Sequence, residues 1–389
     1  MTAGFCVAGL GVTAQGVRLG IPARALRREA LELALADAGL RRPDVDGYIG
    51  TSSEVFDDVR HLGLAPGFAW TMQAGGATAT WSVLNAMSAI STGQAQVVAC
   101  VYGAAPSSPA PSSSGARLAD GSAGGYGSFG YGYPMLYGMV GAASAHALHA
   151  RRHMHRYGTT TEHLGAVAVA QRAHAALRPG TLGYGQPITL EDHHASPMIV
   201  DPFRRLDCCR DTDGGVVLLI TTAERARDLG SRPVHVLGAG TGHNLRNWWT
   251  GDVYDKHDDI EPAARTAFGQ AGLTVDDVDV ACLYDPFTIS PIMQLEAYGF
   301  CGPGEGGPFV AAGETGPGGK IPTNTGGGQL SGYYATGFTA VVEGVVQMRG
   351  DGGATQVTKA EVALVSGHGG NGGVQNTWSH ATLLLGADR

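Results

Sequence analysis

The chain has 389 residues, of which 43% are hydrophobic and 15% are charged, so it is long and apolar enough to bury a large core. Its net charge of -8 and its lack of Lys-rich runs exclude the electrostatic signature of a nucleic-acid-binding protein. The sequence holds no run of about 18 apolar residues and opens without a secretory signal pattern, so we expect a cytoplasmic protein with no membrane span.

The first predicted elements are a strand, a helix and a second strand. Residues 5–11 form a short apolar run, which is typical of a strand that enters a glycine turn. Residues 24–38 carry leucines and alanines at helical spacing, and Gly39 is a suitable C-cap for that helix. Residues 47–50 then read as a short strand. The order strand, helix, strand indicates an α/β protein.

The sequence that joins this helix to the second strand recurs in the second half of the chain. Ala38-Gly39-Leu40 and Asp44-Val45-Asp46 match Ala271-Gly272-Leu273 and Asp277-Val278-Asp279 at six of nine positions, all with the same offset. Such a match predicts an internal duplication. We therefore divide the chain into an N-terminal half, residues 1–230, and a C-terminal half, residues 231–389.

The later elements repeat as well. A helix over 77–91 precedes a strand over 96–102, as a helix over 338–348 precedes a strand over 361–366. Two halves with the same element order imply parallel or mixed sheets covered by helices.

An insertion region of about residues 104–200 interrupts the first half. Residues 104–133 are dominated by Ser, Pro, Gly and Ala and are either a mobile surface insertion or a lid over a ligand site. Helices are predicted over 139–157 and 162–177, and a strand over 216–221 closes the half.

The cysteines and histidines give no sign of a metal site. No CxxC pair occurs and several cysteines lie in apolar runs, so we predict buried free thiols at all six: Cys6, Cys100, Cys208, Cys209, Cys282 and Cys301. His153 and His155 lie two residues apart on a helix and do not share a face, and neither they nor the pair His193-His194 have a carboxylate or cysteine that completes a ligand set. We expect structural or surface histidines and no metal.

Three glycine-flanked segments in the second half are candidates for the active site. They are residues 283–288 (Leu-Tyr-Asp-Pro-Phe-Thr), residues 324–334, which contain Gly326-Gly327-Gly328, and the loop predicted over residues 366–370 (Ser-Gly-His-Gly-Gly). Loops that follow strands or precede helices are where α/β proteins usually build their active sites.

These segments resemble the active-site loops of the thiolase superfamily. Tyr284-Asp285-Pro286-Phe287 is similar to its Asn-Glu-Ala-Phe loop, residues 324–328 with Tyr334 are similar to its Asn-x-x-Gly-Gly and histidine loop, and Gly367-His368-Gly369-Gly370 lies where its Cys-x-Gly-Gly-Gly loop belongs. The resemblance covers nearly the whole chain. It implies two duplicated βαβαβαββ halves in a five-layered α-β-α-β-α thiolase fold.

Within the superfamily, the chain most resembles the sterol-carrier, or lipid-transfer, branch. Four short motifs carry this likeness: Gln186-Pro187-Ile188-Thr189, Asp207-Cys208-Cys209, Gln294-Leu295-Glu296 and Gly299-Phe300-Cys301.

The thiolase nucleophile is missing. Residues 72–78, where the superfamily carries its cysteine at the start of a helix, read Met-Gln-Ala-Gly-Gly-Ala-Thr, with Gly75 at the cysteine's place. Tyr334 replaces the histidine that would activate the cysteine, and Gly367 or His368 replaces the second cysteine. Condensation through an acyl-enzyme is therefore not expected.

The same losses occur in the steroid side-chain CoA aldolases of the lipid-transfer branch, which cleave a β-hydroxyacyl-CoA by a retro-aldol reaction. The resemblance implies that Tyr284 and Tyr334 transfer the protons, with Tyr333 as a rival by a one-residue slip. Asp285 and His368 are candidates for orienting these tyrosines or relaying protons to them. The resemblance further implies contacts to the substrate, its CoA or the enolate from Gly75, Asn324, Gly327, Gly328, Tyr333, Gly369 and Gly370. Two histidines of the aldolase pattern are absent, near Gly326 and Thr336.

The resemblance also implies partners. We expect a bulky acyl-CoA substrate, a homodimer, and a small zinc-ribbon and OB-fold protein that contributes to the acyl-CoA tunnel; CoA enters as part of the substrate, and no separate cofactor is expected. Two alternatives stay open: a catalytically silent subunit that binds acyl-CoA or lipid, and an acyltransferase with an atypical nucleophile.

Overall fold

In a computed structural model of the protein, the described residues are 4–51, 55–108, 141–230, 232–244, 258–371 and 377–387. Their strands are β1 (Phe5–Val12), β2 (Gly47–Gly50), β3 (Phe68–Thr71), β4 (Val98–Ala104), β5 (Met198–Val200), β6 (Phe203–Arg204), β7 (Gly214–Thr222), β8 (Val234–Asn244), β9 (Val280–Cys282), β10 (Val362–Asn371) and β11 (Thr377–Gly386). Their α-helices are α1 (Ala23–Ala38), α2 (Val55–Leu62), α3 (Thr78–Ser91), α4 (Gly141–Tyr157), α5 (Thr161–Leu177), α6 (Leu190–Ala195), α7 (Ala223–Ala226), α8 (Ile260–Ala271), α9 (Ile289–Tyr298), α10 (Gly306–Ala311) and α11 (Phe338–Arg349).

Nine strands of the described chain share one hydrogen-bonded sheet, in the order β3-β2-β4-β7-β1-β8-β11-β10-β9. The pairs β2–β3, β2–β4 and β9–β10 are parallel, and the other pairs are antiparallel. β1 and β8, the first strands of the two halves, pair with each other at the centre. The predicted mixed sheet is confirmed.

The helices form layers on both faces of this sheet. α1 packs on β1, β4 and β7, and α8 packs on β8 and β11. α3 and α11 pack against each other and contact strands of both halves, so they lie between them. The succession α1, first-half strands, α3 with α11, second-half strands, α8 is the predicted five-layered arrangement, and it is confirmed.

The repeated sequence forms a similar helix-to-strand connection in both halves. Gly39 and Gly272 end α1 and α8 with φ of 68° and 66°, a left-handed conformation that favours glycine. The carboxylate of Asp46 accepts hydrogen bonds from the backbone N–H groups that lead into β4, and Asp279, its counterpart in the second half, does the same at the start of β10. The boundary between the halves near residue 230 stays a prediction.

The structure corrects one predicted loop. Residues 366–370 belong to β10, which pairs with β11 from Val362 through Asn371. The glycines are tolerated in this strand because α3 packs closely on it: a Cβ at Gly367 would lie 2.1 Å from Oγ1 of Thr80. The strand predicted over 96–102 begins two residues later, at Val98. Residues 109–133, most of the predicted insertion or lid, lie outside the described residues.

Within the described residues, every helix is too short or too polar to cross a membrane.

Candidate active site

The turn that leads into α3 lies at the centre of the candidate site. Gly75 has a φ of 55°, in the left-handed region. Oγ1 of Thr78, the first residue of α3, accepts a hydrogen bond from the N–H of Ala74 at 2.9 Å and donates one to the carbonyl oxygen of Gly75 at 2.6 Å. These two hydrogen bonds close the turn. Gly76, which follows Gly75, forms the inner side of the turn.

Three segments of the second half meet at Gly76. A Cβ placed on Gly76 would lie 2.0 Å from Cζ of Tyr284 and 2.4 Å from the carbonyl oxygen of His368. A Cβ on Gly337 would lie 2.2 Å from the carbonyl oxygen of Gly76, and one on Gly369 would lie 2.1 Å from its nitrogen. The fold therefore brings two of the predicted active-site segments, 283–288 and 366–370, to the helix start where thiolases carry their nucleophile. The third contact comes from Gly337, three residues beyond the predicted segment 324–334, and the phenol ring of Tyr284 fills the space beside Gly76.

The backbone of Tyr284 is held on both sides. Its N–H donates to Oγ of Ser366 at 2.9 Å, and its carbonyl oxygen accepts from Nε2 of Gln294 at 2.7 Å. Ser366 in turn donates to Oε1 of Gln294 at 2.5 Å, which closes the network. Tyr284 is 7% exposed, so this buried network sets the direction from which its ring approaches Gly76.

Asn324 supports the same strand end. Its Oδ1 accepts from the N–H of Leu283 at 2.7 Å and its Nδ2 donates to the carbonyl oxygen of Leu283 at 2.9 Å, so the side chain pairs like a neighbouring strand. Asn324 adopts a φ of 53° to do so. These contacts make it a positioning residue for the neighbouring Tyr284, and its predicted part in binding the enolate stays a prediction.

Asp285 caps a short π-helix, Gly328–Gly332. Its carboxylate accepts from the N–H of Gln329 at 2.9 Å and of Leu330 at 3.2 Å. A Cβ on Gly328 would lie 2.2 Å from Oδ2, so only glycine fits under this carboxylate. Burial raises the pKa of Asp285 to about 7, while the two backbone N–H groups act in the opposite direction. Asp285 thus ties the Tyr284 segment to the glycine segment after Gly327, whose φ is 87°.

Tyr334 is anchored through its backbone by Thr212. Oγ1 of Thr212 accepts from the N–H of Tyr334 at 2.9 Å and donates to its carbonyl oxygen at 3.0 Å. The pKa of the buried Tyr102 is raised mainly by burial and also by the charge of Tyr334. Thr212 is not among the predicted site residues. It lies two residues before β7, which begins at Gly214.

Tyr333 has different surroundings from Tyr334. It lines a small cavity with Asp285, Asn324 and Glu343, and its pKa is raised mainly by burial and then by the charge of Glu343. Oε1 of Glu343 pairs with the guanidinium of Arg178 at 2.8 Å.

The second carboxylate oxygen of Glu343, Oε2, lies beside Gly326, where the aldolase pattern often has a histidine. A Cβ on Gly326 would lie 2.5 Å from Oε2 of Glu343. Since Gly326 stands where the aldolase pattern often has histidine, the carboxylate of Glu343 occupies the space that such a side chain would need.

The imidazole of His368 lies on the other face of β10 from Tyr284. Gly367 and Gly369 face α3 and its leading turn, and alternate residues of a strand face opposite sides. The Nδ1 atom of His368 is 3.2 Å from Oδ2 of Asp259 and 3.0 Å from Nδ1 of His380. His368 therefore reaches the Tyr284 site through its carbonyl oxygen, and its predicted role in a proton relay stays a prediction. Gly370 continues β10 beyond it.

The cysteines do not supply a substitute nucleophile in the described structure. All six are free, as predicted, but Cys208, Cys209 and Cys301 are only partly buried, whereas the prediction was burial of all six. Burial raises the pKa of Cys208 and of Cys301 to about 12, and the pKa values of Cys100, Cys209 and Cys282 are raised by the same cause. A raised pKa keeps a thiol protonated and unreactive at neutral pH. This disfavours an acyltransferase that uses a cysteine.

Known proteins show to which family the chain belongs. Residues 252–386 match the thiolase C-terminal domain-like family. The chain is 36% identical to a steroid side-chain-cleaving aldolase of Thermomonospora curvata, with 98% of each chain covered. The chain belongs to the thiolase superfamily, in the branch of the steroid side-chain-cleaving aldolases. It is also 39% identical to the 17-hydroxy-3-oxo-4-pregnene-20-carboxyl-CoA lyase of Mycobacterium tuberculosis, with 88% of this chain and 91% of that relative covered.

Solved structures agree with this membership of the aldolase branch. The structure named Ltp2-ChsH2(DUF35) aldolase superposes with a TM-score of 0.86 at 34% identity and covers 100% of this chain and 98% of that chain. Human mitochondrial 3-ketoacyl-CoA thiolase superposes with a TM-score of 0.68 at 14% identity over the whole of both chains, which shows the shared fold. The predicted family, thiolase fold and enzyme class, a carbon–carbon lyase without the nucleophilic cysteine, are confirmed.

Proposed function

We propose that this aldolase cleaves a bulky β-hydroxyacyl-CoA of the steroid side-chain type by a retro-aldol reaction, with Tyr284 and Tyr334 as the proton-transfer groups. The observation that carries the proposal is the position of the Tyr284 ring against Gly76, at the start of α3. An ionisable hydroxyl group on this ring replaces a thiol at the reacting end of the fold. The full-length relatives, named as an aldolase and a carboxyl-CoA lyase, support the reaction class.

The reaction needs two proton transfers and no external oxidant or reductant. A base removes the proton from the β-hydroxyl group, the bond between Cα and Cβ breaks, and its electron pair moves into the thioester as an enolate. The β-carbon leaves as a ketone, and an acid returns one proton to Cα of the shortened acyl-CoA. Two tyrosines balance the reaction, because one accepts a proton from the β-hydroxyl group and the other donates a proton to Cα.

The N-terminus of α3 suits the enolate oxygen. A helix start presents backbone N–H groups and a partial positive charge, both of which stabilise an oxyanion. The turn at Gly75 and Gly76 approaches Gly369 without side chains in between, so glycine backbone from both halves of the chain meets at this helix start. We assign the enolate to this glycine surface, with Tyr284 beside it.

We also propose that the working enzyme contains two copies of this chain. β3 lies at the edge of the nine-stranded sheet, and Trp70 on it is 56% exposed. Phe56 in the neighbouring helix α2 is 88% exposed. An edge strand with an exposed aromatic residue is a surface that another strand covers well. A second protein of the ChsH2 (DUF35) kind is proposed from the name of the similar structure; a cytoplasmic location stays a prediction.

The test uses the purified chain with and without such a partner, and 17-hydroxy-3-oxo-4-pregnene-20-carboxyl-CoA as substrate. Ketone release is followed by chromatography and mass spectrometry. Tyr284→Phe and Tyr334→Phe each remove one hydroxyl group and should lower kcat by about 10²- to 10⁴-fold, the usual contribution of a general acid or base. Tyr184→Phe, at a side chain that is 52% exposed, should leave kcat unchanged.

Three outcomes separate the alternatives. Loss of turnover in Tyr333→Phe with full activity in Tyr334→Phe would move the second role to Tyr333. No ketone from this or other β-hydroxyacyl-CoA substrates, with tight binding retained, would favour the silent acyl-CoA-binding subunit. A covalent acyl adduct detected by mass spectrometry would indicate an acyltransferase.

A further inference from the structure

Behind the candidate active site, His368, His380 and Gly242 lie side by side on three neighbouring strands, β10, β11 and β8. His368 on β10 lies directly opposite His380 on β11, and His380 lies directly opposite Gly242 on β8. Gly242 leaves room for the chain just before α8, since a Cβ there would lie 1.9 Å from the carbonyl oxygen of Asp259. The missing side chain at Gly242 thus lets Asp259 reach the two histidines.

The three side chains converge with metal-ligand geometry. Nδ1 of His368 lies 3.0 Å from Nδ1 of His380 and 3.2 Å from Oδ2 of Asp259, and all three ligand atoms lie within 4.8 Å of one another. Ligand bonds of about 2.0–2.1 Å in a tetrahedral zinc site separate neighbouring ligand atoms by roughly 3.3 Å. The two distances from Nδ1 of His368 are close to this value.

A second set of contacts fits the tautomer of His380 that a metal requires. If Nδ1 is to offer its lone pair, the proton must lie on Nε2, and Nε2 is 2.7 Å from the hydroxyl oxygen of Tyr298. That hydroxyl is also 2.7 Å from Oγ1 of Thr382, so Tyr298 can accept from His380 and donate its own proton to Thr382. Ligating histidines usually have such a partner on their other ring nitrogen.

Burial and access also suit a bound ion. Asp259 and His380 are fully buried and His368 is 4% exposed, so the ion would be shielded from water on most sides. A small cavity reaches His368 and is lined by His146, His149, Ile289, Ser290, Met293 and Gln294. This cavity reaches the ligand set at His368 and leaves room for a small fourth ligand such as water.

We propose that Asp259, His368 and His380 bind one divalent transition-metal ion of the zinc class. The ion joins the start of α8 to β10 and β11, on the face of β10 opposite Tyr284. Its role is structural, because the imidazole of His368 faces away from Gly76 while its carbonyl oxygen touches that site. The sequence predicts no metal here, since these ligands are scattered along the second half and form no spacing motif.

The test measures metal and does not depend on the lyase reaction. The full chain, grown with added zinc and purified without chelator, is analysed by elemental mass spectrometry; it is then stripped with a chelator and titrated with Zn²⁺ while its melting temperature is followed. We expect about one zinc per chain and a higher melting temperature with Zn²⁺. His380→Gln and Asp259→Asn should lose the bound zinc, and Tyr298→Phe should weaken binding by about 10- to 100-fold.

A matched control is His174→Gln. His174 is equally buried, but its Nε2 contacts the carbonyl oxygen of Thr315 and lies in no ligand cluster of the described residues. This variant should keep the zinc. If His380→Gln does not fold, Asp259→Asn, which keeps the shape of the side chain, decides the question. The proposal is overturned if the stripped wild-type chain shows no saturable binding of Zn²⁺, or if Asp259→Asn binds zinc as tightly as the wild type.

Discussion

Gly76→Ala is a direct test of the active-site geometry. The added Cβ would lie 2.0 Å from Cζ and 2.2 Å from Cε1 of Tyr284, where ordinary contact begins at 3.4 Å. The third neighbour, at 2.4 Å, is the carbonyl oxygen of His368, which is fixed in β10. The ring of Tyr284 must withdraw from the new methyl group, and the turn at Gly76 must also shift away from the carbonyl oxygen of His368.

The expected effect follows from that displacement. Misplacing a reacting group by about 1 Å can reduce the rate by about 10²-fold, so we expect kcat/KM of Gly76→Ala to fall by about 10²-fold. The free energy of unfolding should fall by about 1–3 kcal/mol, the usual result of overpacking a buried site. Ketone release measures the first quantity and urea unfolding the second. Gly269→Ala is the matched control, since no atom lies within 4 Å of a Cβ there and its activity should not change.

A double-mutant cycle shows whether the loss acts through Tyr284. If the alanine displaces the phenol, Tyr284→Phe should cost much less in the Gly76→Ala background than in the wild type. Full activity in Gly76→Ala would refute the placement of the ring. Losses that multiply independently would refute the coupling between the two residues.

Two further predictions concern the supports of the site. Asp285→Asn should become more stable relative to the wild type as the pH rises from about 4 to about 7. The carboxyl group of Asp285 has a pKa of about 7 in the folded protein and 3.8 in the unfolded chain, so between these values only the unfolded chain releases the proton. The free energy of unfolding of the wild type therefore falls by up to about 4 kcal/mol across this range. Urea unfolding of both proteins at several pH values measures this, and parallel profiles would contradict it. Thr212→Val removes both hydrogen bonds to the backbone of Tyr334 and should lower kcat about 10-fold and stability by about 1–2 kcal/mol; Thr212→Ser should restore kcat, whereas equal losses in both variants would argue against the hydroxyl group.

Much of the fold follows from local patterns in the sequence. Residues 24–38 carry their apolar side chains at helical spacing, and α1 occupies nearly the same range. The repeated Gly39 and Gly272 mark two similar helix ends, since a residue that adopts a positive φ easily is needed at each of them. These features depend on residues within a few positions of one another. The missing cysteine in residues 72–78 could be read in the same way.

The extent of β10 could not be predicted so directly. Gly367 and Gly369 have the composition of a loop, and their place in a strand depends on the ladder with β11 and on the close approach of α3. Glycine's own preference for turns is outweighed there by partners from elsewhere in the chain.

The α/β class, the repeated helix-to-strand sequence and the loss of the thiolase nucleophile can all be read from local patterns or short motifs. Three other features depend on the folded chain: how Tyr284 is held, the anchoring of Tyr334 by Thr212, and the meeting of Asp259, His368 and His380. These groups lie far apart along the chain, and the pairing of strands and the packing of helices bring them within hydrogen-bond distance. Their approach depends on the glycines that leave room for it, at Gly76 and Gly242.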